Sequence, residues 1–268
     1  MIFWRNLIEM VNKQAHQQVS TILMRDIFFR KLKPGEKLPS ERELSDSMNI
    51  DRTSLRVALK QLEAMQLLEI RRGDGIYVKN FLKHAGIDFL RVLFANHNSP
   101  EDELAADMFL LDEFWEWWII QFPEMIKLAA KRVSSRELKE LSDTMDKELE
   151  HKHDREKLIE LWIYEQDRIA EVVNNMVMIL ILNSARPLRI NILKIFMNSI
   201  PLEQIEQFIR AKKAILMEFL TKTGENLDDA AEQYRLILIE QRQITRSILI
   251  QKKYSDGTNS FIMQSERK

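Results

Sequence analysis

The stretch "DRTSLRVALKQLEAMQLLEIRRGDGIYV", residues 51–78, decides the fold of the front of this chain. Asp51 is a residue type that caps helix starts. Apolar residues follow it at the i, i+3, i+4 and i+7 spacing of one buried helical stripe: Leu55, Ala58, Leu59 and Leu62. The segments "LLEIRR" and "IYV" then flank the turn sequence "GDG", which predicts two short strands. The stretch therefore predicts a helix followed by a β-hairpin.

Two further helices are predicted before this stretch. Residues 15–30 place Val19, Ile22, Leu23 and Ile27 on one helix face. Pro34 and Gly35 then indicate a turn. The sequence "SERE", which begins at Ser40, is a capping box for a second helix over about residues 41–48. Three helices followed by a hairpin predict a winged helix-turn-helix.

The polar residues of the third helix and of the hairpin suit DNA. The third helix of a helix-turn-helix lies in the major groove, where residues near its N-terminus reach base edges. Arginine can bind guanine through two hydrogen bonds, and hydroxyl groups can bind phosphate or base. We expect Arg71 and Arg72 of the wing to lie along the adjacent groove, and Gly73 to let the backbone approach the duplex.

Residues 38–81, "LPSERELSDSMNIDRTSLRVALKQLEAMQLLEIRRGDGIYVKNF", resemble the DNA-binding domain of GntR-type bacterial transcription regulators. The shared pattern is the Leu-Pro-Ser-Glu-Arg-Glu-Leu opening, the Arg-Thr/Ser-x-x-Arg helix and the Gly-x-Gly wing. Gln66 and Leu67 stand where the family usually has Gly-Leu. The resemblance implies double-stranded operator DNA as the partner, bound through Arg42, Arg52, Thr53, Ser54, Arg56, Arg72 and Gly73.

Composition and charge limit what the rest of the chain can be. Of 268 residues, 45% are hydrophobic and 30% are charged, which is typical of soluble globular proteins. Cysteine is absent, which excludes disulfides and fits a reducing cytoplasm. No stretch reaches the roughly 18 uninterrupted apolar residues of a transmembrane helix, so no membrane partner is predicted. Net charge is +4 over residues 1–80 and −5 over the remainder, which favours two domains with different partners.

The back of the chain is predicted to be an all-helical bundle. Residues 82–255 show no strand alternation, and glycine and proline are scarce, with six of each. We predict six or seven helices, separated by breaks near Asn96–Pro100, Phe122–Pro123, Ser134, Pro187, Pro201 and Thr223–Gly224. The predicted fold is mainly α, with an N-terminal winged helix-turn-helix and a C-terminal all-α effector domain. The predicted divisions are a DNA-binding domain (1–80), a linker and connecting helix (81–100), an effector and dimerisation domain (101–255) and a flexible tail (256–268).

The sequence offers little for catalysis, so we predict a protein that is not an enzyme and carries no cofactor. All five histidines lie at or before His153, and the two imidazoles of "HKH" point about 200° apart on a helix. The chain has neither a phosphate-binding loop nor a dinucleotide fingerprint.

The family resemblance also bears on the effector. Many relatives bind a metal through an Asp, a His four residues later and two downstream His. When Asn175 is aligned with the asparagine that closes that motif, Trp162 and Gln166 occupy the Asp and His positions. No metal site is therefore predicted. Residues 78–93 and 172–188 resemble the FadR-type branch, which senses long-chain acyl-CoA, although Leu238 and Gln241 replace small residues of that branch.

The candidate effector pocket follows from these alignments and from the aromatic stretch "FLLDEFWEWWIIQF", residues 109–122. That stretch predicts a buried central helix, a wall of an apolar ligand cavity, or both. The expected pocket residues are Trp118, Trp162, Gln166, Asn175, Asn183, Leu238 and Gln241.

Together these features predict a homodimeric regulator on a pseudo-palindromic operator, controlled by a small molecule such as an acyl-CoA. Three alternatives remain open on the sequence: a ligand-independent regulator, a regulator that responds to a metal or carboxylate, and a winged-helix module for protein contacts.

Overall fold

The computed structural model describes the backbone of residues 2–95, 103–221 and 227–265, and the side chains of residues 15–93, 110–218 and 227–247. The chain forms two compact units, residues 1–98 and 99–268. Both are helical, and a single two-stranded sheet lies in the first unit among the residues that the structure describes. The mainly α fold with an N-terminal winged helix-turn-helix is therefore confirmed.

Within residues 2–95, the first unit contains five helices and one hairpin. Its elements are α1 (Ile2–Phe28), α2 (Glu41–Ser47), α3 (Arg52–Ala64), β1 (Leu68–Arg71), β2 (Gly75–Val78), α4 (Phe81–His84) and α5 (Ile87–Ala95). The helix predicted over 15–30 belongs to a longer α1 that begins at Ile2. The other predicted elements fall within a few residues of their expected positions.

The predicted apolar stripe of α3 forms the centre of the first core. Leu55, Ala58, Leu59 and Leu62 are at most 1% exposed, and they pack with Val19, Leu23, Met24 and Ile27 of α1. Ile22 was expected on the same face of α1, but it is 48% exposed, so that prediction is wrong. The buried face of α1 includes Met24, which is fully buried, together with Val19, Leu23 and Ile27 as predicted.

The caps of α2 and α3 form as the sequence predicts. The Ser40 hydroxyl accepts from the Glu43 amide, and the Glu43 carboxylate accepts from the Ser40 amide at 2.8 Å. Asp51 accepts from the Ser54 amide at 2.9 Å. Each cap satisfies amides that have no partner within the first turn of the helix, and thereby fixes where that helix begins.

The hairpin is a short antiparallel ladder in which Leu68 pairs with Val78 and Arg71 with Gly75. Lys37, before α2, forms an isolated bridge with Tyr77, which ties the segment before α2 to the sheet. The Asp74 amide donates to the Arg71 carbonyl at 3.1 Å and closes the turn. Gly73 has φ +74°, a left-handed conformation that costs other residues about 1–2 kcal/mol.

The second unit is a helical bundle, with seven helices in the residues that the structure describes. They are α6 (Glu103–Ala130), α7 (Ser135–Glu150), α8 (Arg155–Val173), α9 (Met176–Ser184), α10 (Arg186–Ser199), α11 (Leu202–Thr221) and α12 (Leu227–Ser265). α12 packs along α6, where Arg242 binds the Asp112 carboxylate with bonds of 2.8 and 2.9 Å. α12 includes residues 256–265, for which we expected a flexible tail.

Three predicted breaks agree with helix ends. Ser134 is the N-cap of α7, Pro187 lies in the first turn of α10, and Pro201 precedes α11. The break predicted at Phe122–Pro123 is wrong, because Pro123 lies inside α6. Phe122 before it and Met125 after it are both buried, so α6 packs against the core on both sides of the proline. The breaks predicted at Asn96–Pro100 and Thr223–Gly224 lie outside the described residues.

Two helix ends in this unit were not predicted, because neither has a proline or glycine nearby. α7 ends in the turn before Asp154, and Asn174 ends α8 in a left-handed conformation with φ 51°. Asparagine tolerates that conformation better than other residues with a side chain. In the described part of the chain, no single helix is both long and apolar enough to cross a membrane, and only α9 and α10 taken together, bent by 59°, meet that test.

Candidate nucleic-acid interface and ligand cavity

One face of α3 is polar and exposed along its length. Arg52, Thr53, Arg56, Val57 and Lys60 are all exposed, while the leucine stripe occupies the opposite face. The face begins at the N-terminus of the helix, where helix-turn-helix proteins contact base edges. Three of the predicted DNA-binding residues of α3 therefore lie together on an accessible surface.

Ser54 is a correction to the predicted interface. Its side chain is 4% exposed, and its amide donates to Asp51 in the N-cap of α3. A hydrogen bond from the Ser54 side chain and a backbone bond also lower the pKa of Asp51. Because Ser54 is buried in the cap, it cannot contact DNA without unwinding the first turn. Helical spacing carried a signal for this, because Ser54 lies four residues before Ala58 of the buried stripe, whereas Thr53 lies on the opposite face of α3.

The arginines of the predicted interface differ in how far they are already paired. The Nε of Arg56 donates to Glu41 of α2 at 2.7 Å, and the Nε of Arg42 lies 3.9 Å from Asp46. Arg52 and Arg72 are exposed and have no acidic partner among the residues that the structure describes. Arg52 and Arg72 are therefore the side chains whose charge is most available to a phosphate or a guanine.

The wing has a rigid base below its tip. Arg71 lies over the Tyr77 ring at 4.3 Å and donates to Glu69 at 3.0 Å. Asp74 accepts from Lys37 at 3.2 Å and from the Tyr77 hydroxyl at 3.0 Å, and these bonds lower the pKa of Asp74. Arg71 is thus held against the hairpin, while Arg72 and Gly73 form the exposed tip.

A narrow cavity lies among α6, α8, α10, α11 and α12 of the second unit. Five of the predicted effector residues line it: Trp118, Trp162, Gln166, Leu238 and Gln241. Its other lining residues are Phe114, Trp115, Glu165, Arg189, Ile192, Leu193, Lys212 and Tyr234. The free space between them is on the order of one or two water molecules.

Asn175 and Asn183 do not line this cavity, and their prediction as pocket residues is a correction. Asn175 is the exposed N-cap of α9, where its side chain accepts from the amides of Val177 and Met178 at 3.0 and 3.2 Å. Asn183 is exposed in the last turn of the same helix. Both were expected in the pocket from an alignment. They instead lie at the two ends of α9.

A buried ionic cluster, which no sequence pattern predicted, lies beside the cavity. Lys212 of α11 contacts Glu148 of α7 at 3.0 Å and also binds Glu165 of α8, and all three side chains are at most 3% exposed. The Lys212 ammonium lies 4.2 Å from the centre of the Trp162 ring. Lys212 and its half-buried neighbour Lys213 are the same residue type in adjacent positions, and only the packing of the helices buries Lys212 completely.

Burial controls the ionisation of this cluster. Loss of solvent raises the pKa of Glu148 to about 8, against an opposing effect of Lys212. Burial by itself lowers the pKa of Lys212, but Glu148 and Glu165 outweigh it and leave that pKa above its ordinary value. Burial, followed by the same two carboxylates, raises the pKa of Tyr234 well above its usual range. Near neutral pH the cluster therefore holds a lysine cation and retains a proton on Glu148.

A second buried cation closes another side of the cavity. Arg189 donates to Asp167 at 2.8 Å, to Gln166 at 2.9 Å and to the Leu182 carbonyl at 3.1 Å. Asp167 also binds Arg186. In the described part of the chain, no group of three or more His, Asp or Glu side chains is arranged to hold a metal ion.

A second, apolar cavity shares one wall with the first. Glu165, Lys212 and Tyr234 line both cavities, and aliphatic side chains of α6, α7, α8 and α11 form the rest of the second one. Ala129, Leu141 and Ile215 are among these aliphatic residues. The buried ionic cluster therefore separates a donor-lined space from an apolar space.

Comparison with known proteins matches the front of the chain to one family. Residues 15–78 match the gntR family of bacterial regulatory proteins. The chain is 32% identical over 171 residues to the HTH-type transcriptional regulator Mce2R of Mycobacterium tuberculosis, covering 62% of this chain and 66% of that protein. It is 31% identical over 129 residues to the Uxu operon transcriptional regulator of Escherichia coli, covering 47% of this chain and 50% of that protein.

Among solved structures, the chain is similar to a GntR protein of Streptococcus agalactiae. The two are 21% identical, with a TM-score of 0.41, and the match covers 85% of this chain and 99% of that one. The chain spans about two thirds or less of the length of the two curated relatives named above.

Proposed function

We propose that this chain, which belongs to the GntR family of bacterial regulatory proteins, is a DNA-binding transcription regulator that acts as a homodimer on a pseudo-palindromic operator. Family members and relatives are regulators rather than enzymes. In this proposal α3 enters the major groove, the wing contacts the adjacent groove, and the helical unit responds to a small molecule.

The observation that carries the proposal is the exposed face of α3. Its polar residues lie opposite a fully buried leucine stripe, so they take no part in packing the core. Arg52 at the start of the helix and Arg72 at the wing tip supply cations without acidic partners among the described residues. Unpaired arginines on a surface suit a polyanion, because each phosphate contact releases condensed counterions from the duplex.

Arg56 adds a condition for binding. Its bond to Glu41 of α2 holds the guanidinium in place before DNA arrives. If Arg56 binds guanine, either the Arg56–Glu41 pair stays intact and brings the Glu41 carboxylate close to the DNA, or the pair breaks. Glu41→Gln should therefore strengthen non-specific binding by removing a negative charge, and should loosen the orientation of Arg56.

The test is fluorescence anisotropy with a labelled duplex that carries a palindrome from upstream of the gene. If that duplex gives no specific binding, a selected duplex library replaces it. Specific binding that weakens steeply with salt supports the proposal. A failure of both the natural duplex and the selected library at low salt contradicts it, and would favour a winged-helix module for protein contacts.

The dimer that the proposal requires has a candidate surface on α9. This helix carries no charged residue, and Met176, Val177 and Leu180 are 75%, 65% and 57% exposed. Exposed apolar patches of this kind mark contact surfaces. A two-fold interface pairs a patch with its own copy, which an uncharged apolar face permits without repulsion. We propose that α9 packs against α9 of a second copy.

Light scattering coupled to size exclusion tests this interface. The double variant Val177→Asp, Leu180→Asp should be monomeric because it places carboxylates at the contact. Leu236→Asp, at an exposed leucine of α12, is the matched control and should remain dimeric. A double variant that stays dimeric would move the interface elsewhere.

We propose the helical unit as the effector site, with a fatty acyl-CoA as the first candidate. Residues 78–93 and 172–188 resemble the acyl-CoA branch, and the apolar cavity offers aliphatic walls. An effector acts only if it binds one arrangement of the DNA-binding units better than another. Addition of a long-chain acyl-CoA should release the labelled operator, and unchanged anisotropy would remove this candidate.

A further inference from the structure

The wing hairpin, residues 68–78, has no net charge of its own. It carries two acidic residues and two arginines: Glu69, Asp74, Arg71 and Arg72. Arg71 is already paired with Glu69 at 3.0 Å. Asp74 lies in the turn directly after the exposed tip, where its carboxylate would repel the phosphates of an approaching duplex. A hairpin that contacts DNA would therefore gain from a cation supplied by another segment.

Lys37, in the segment before α2, supplies that cation. Its ammonium donates to the Asp74 carboxylate at 3.2 Å, and the Tyr77 hydroxyl donates to the same oxygen at 3.0 Å. The hydrogen bond with Asp74 raises the pKa of Lys37, and the bonds from Tyr77 and Lys37 lower the pKa of Asp74. Both groups are therefore charged near neutral pH. With Lys37 included, three cations stand against two carboxylates, and the wing becomes net positive.

The fold fixes both the backbone and the side chain of Lys37 beside the wing. Its backbone forms the isolated bridge with Tyr77, and the amide of the next residue, Leu38, donates to the Ile76 carbonyl at 2.8 Å. The side chain crosses Gly75 so closely that a Cβ at residue 75 would overlap Lys37 Cε. A lysine held in this way is in place before DNA arrives, so little conformational freedom is lost when the complex forms.

We infer that Lys37 is a positioning residue of the DNA interface, which neutralises Asp74 and thereby lets the wing tip approach the duplex. The tip is formed by Arg72 and Gly73, directly before Asp74 in the chain. The inference rests on the proposed function as a DNA-binding regulator, and it adds a residue outside α3 and the hairpin to the interface. Because Lys37 acts through Asp74, its charge should matter only while Asp74 carries a carboxylate.

A double-variant cycle in operator binding tests this assignment. Fluorescence anisotropy of the operator duplex is measured with full-length wild type, Lys37→Met, Asp74→Asn and the double variant. The salt concentration is about 0.15 M, where exposed charges more than about 8 Å apart are largely screened. Lys37→Met leaves the carboxylate without its cation and should weaken binding by about two- to fivefold, the range of an exposed ion pair. Asp74→Asn and the double variant should bind as tightly as the wild type.

Lys31→Met is the matched control for the loss of one positive charge. Lys31 belongs to the same unit, and its acidic neighbour at 3.8 Å is Asp26 of α1 rather than a wing residue. This variant should bind the operator as tightly as the wild type. Circular dichroism and thermal unfolding establish that each variant folds, and Lys37→Gln replaces Lys37→Met if the latter does not.

Three results would overturn the inference while leaving the proposed regulator intact. Unchanged affinity of Lys37→Met would show that Asp74 does not obstruct DNA binding. An equal loss from Lys37→Met in the wild-type and Asp74→Asn backgrounds would assign Lys37 to direct contact with DNA. An equal loss in Lys31→Met would show that only the total charge of the unit matters. Wild-type protein that binds neither the natural duplex nor a selected library contradicts the proposed regulator itself, and this inference with it.

Discussion

The two units of this protein use their charged residues in opposite ways. Among its described residues, the first unit buries no charged side chain, and it leaves Arg52 and Arg72 exposed without acidic partners. The second buries Lys212, Glu148 and Glu165 together in its interior. Surface charge of the first kind is available to a partner, whereas buried charge of the second kind is committed to the fold. The comparison predicts that equivalent substitutions will affect binding in one unit and stability in the other.

The largest expected effect is on the buried cluster. Lys212→Met leaves Glu148 and Glu165 buried without their cation and should lower the free energy of unfolding by about 3–5 kcal/mol. Lys213→Met is the matched control, because Lys213 forms a partly exposed ion pair with Asp146 that is worth about 0–1 kcal/mol. Denaturant unfolding followed by tryptophan fluorescence measures both. Equal losses of stability in the two variants would show that the burial of Lys212 does not increase its contribution to stability.

The same cluster gives the second effect, through pH. The pKa of Glu148 in the folded protein is about 8, above its ordinary value of 4.5, so the folded state holds a proton that the unfolded state has lost between these values. Stability should therefore fall as pH rises through this window, by at most about 1.4 kcal/mol per pH unit. Glu148→Gln should flatten the dependence, and Glu150→Gln, at an exposed residue of α7, should not. A wild-type protein whose stability is constant from pH 6 to 8 would contradict a protonated Glu148 in the folded state.

The third effect is on DNA binding. Arg52→Ala should weaken specific operator binding by about 1–3 kcal/mol, because it removes an unpaired arginine from the start of α3. Unfolding should change by less than about 0.5 kcal/mol, since Arg52 is exposed. Lys60→Ala is the control on the same face, where Lys60 is already paired with Glu63 at 2.6 Å. An equal loss of affinity in both variants would mean that only total charge matters.

The smallest effect is at the wing tip. Gly73→Ala forces a residue with a side chain into φ +74° and should lower stability by about 1–2 kcal/mol within the hairpin, although no neighbouring atom would meet the new methyl group. Gly86→Ala is the control, because Gly86 has neither a positive φ nor a neighbour within 4 Å. Hydrogen exchange of the β1 and β2 amides distinguishes local from global loss. Equal protection of these amides in the two variants would show that the left-handed conformation of residue 73 does not determine the stability of the wing.

Local patterns predicted most of the first unit because its determinants are local. Caps at Ser40 and Asp51, the leucine stripe of α3 and the glycine turn of the wing each act within a few residues. The failures there are single residues: Ile22 lies outside the buried face of α1, and Ser54 is buried in the N-cap of α3. A side chain beside a predicted face can be either buried or exposed, and only packing decides.

The second unit was predictable only in outline. Helical content and three of the breaks followed from periodicity and proline, but Pro123 was absorbed into α6 by packing. Five of the predicted effector residues line the narrow cavity, whereas Asn175 and Asn183 lie on α9 away from it. The cluster of Glu148, Glu165 and Lys212 joins three helices separated along the chain, and no spacing rule connects residues at such distances.

The central claim is that the exposed face of α3 recognises operator DNA. Fluorescence anisotropy of an operator duplex at several salt concentrations, with wild-type protein and Arg52→Ala, tests it most directly. We predict specific binding by the wild type, a steep fall in affinity with salt, and a weaker complex with a shallower salt dependence for the variant. Wild-type and variant proteins that bind specific and random duplexes equally well would contradict the claim.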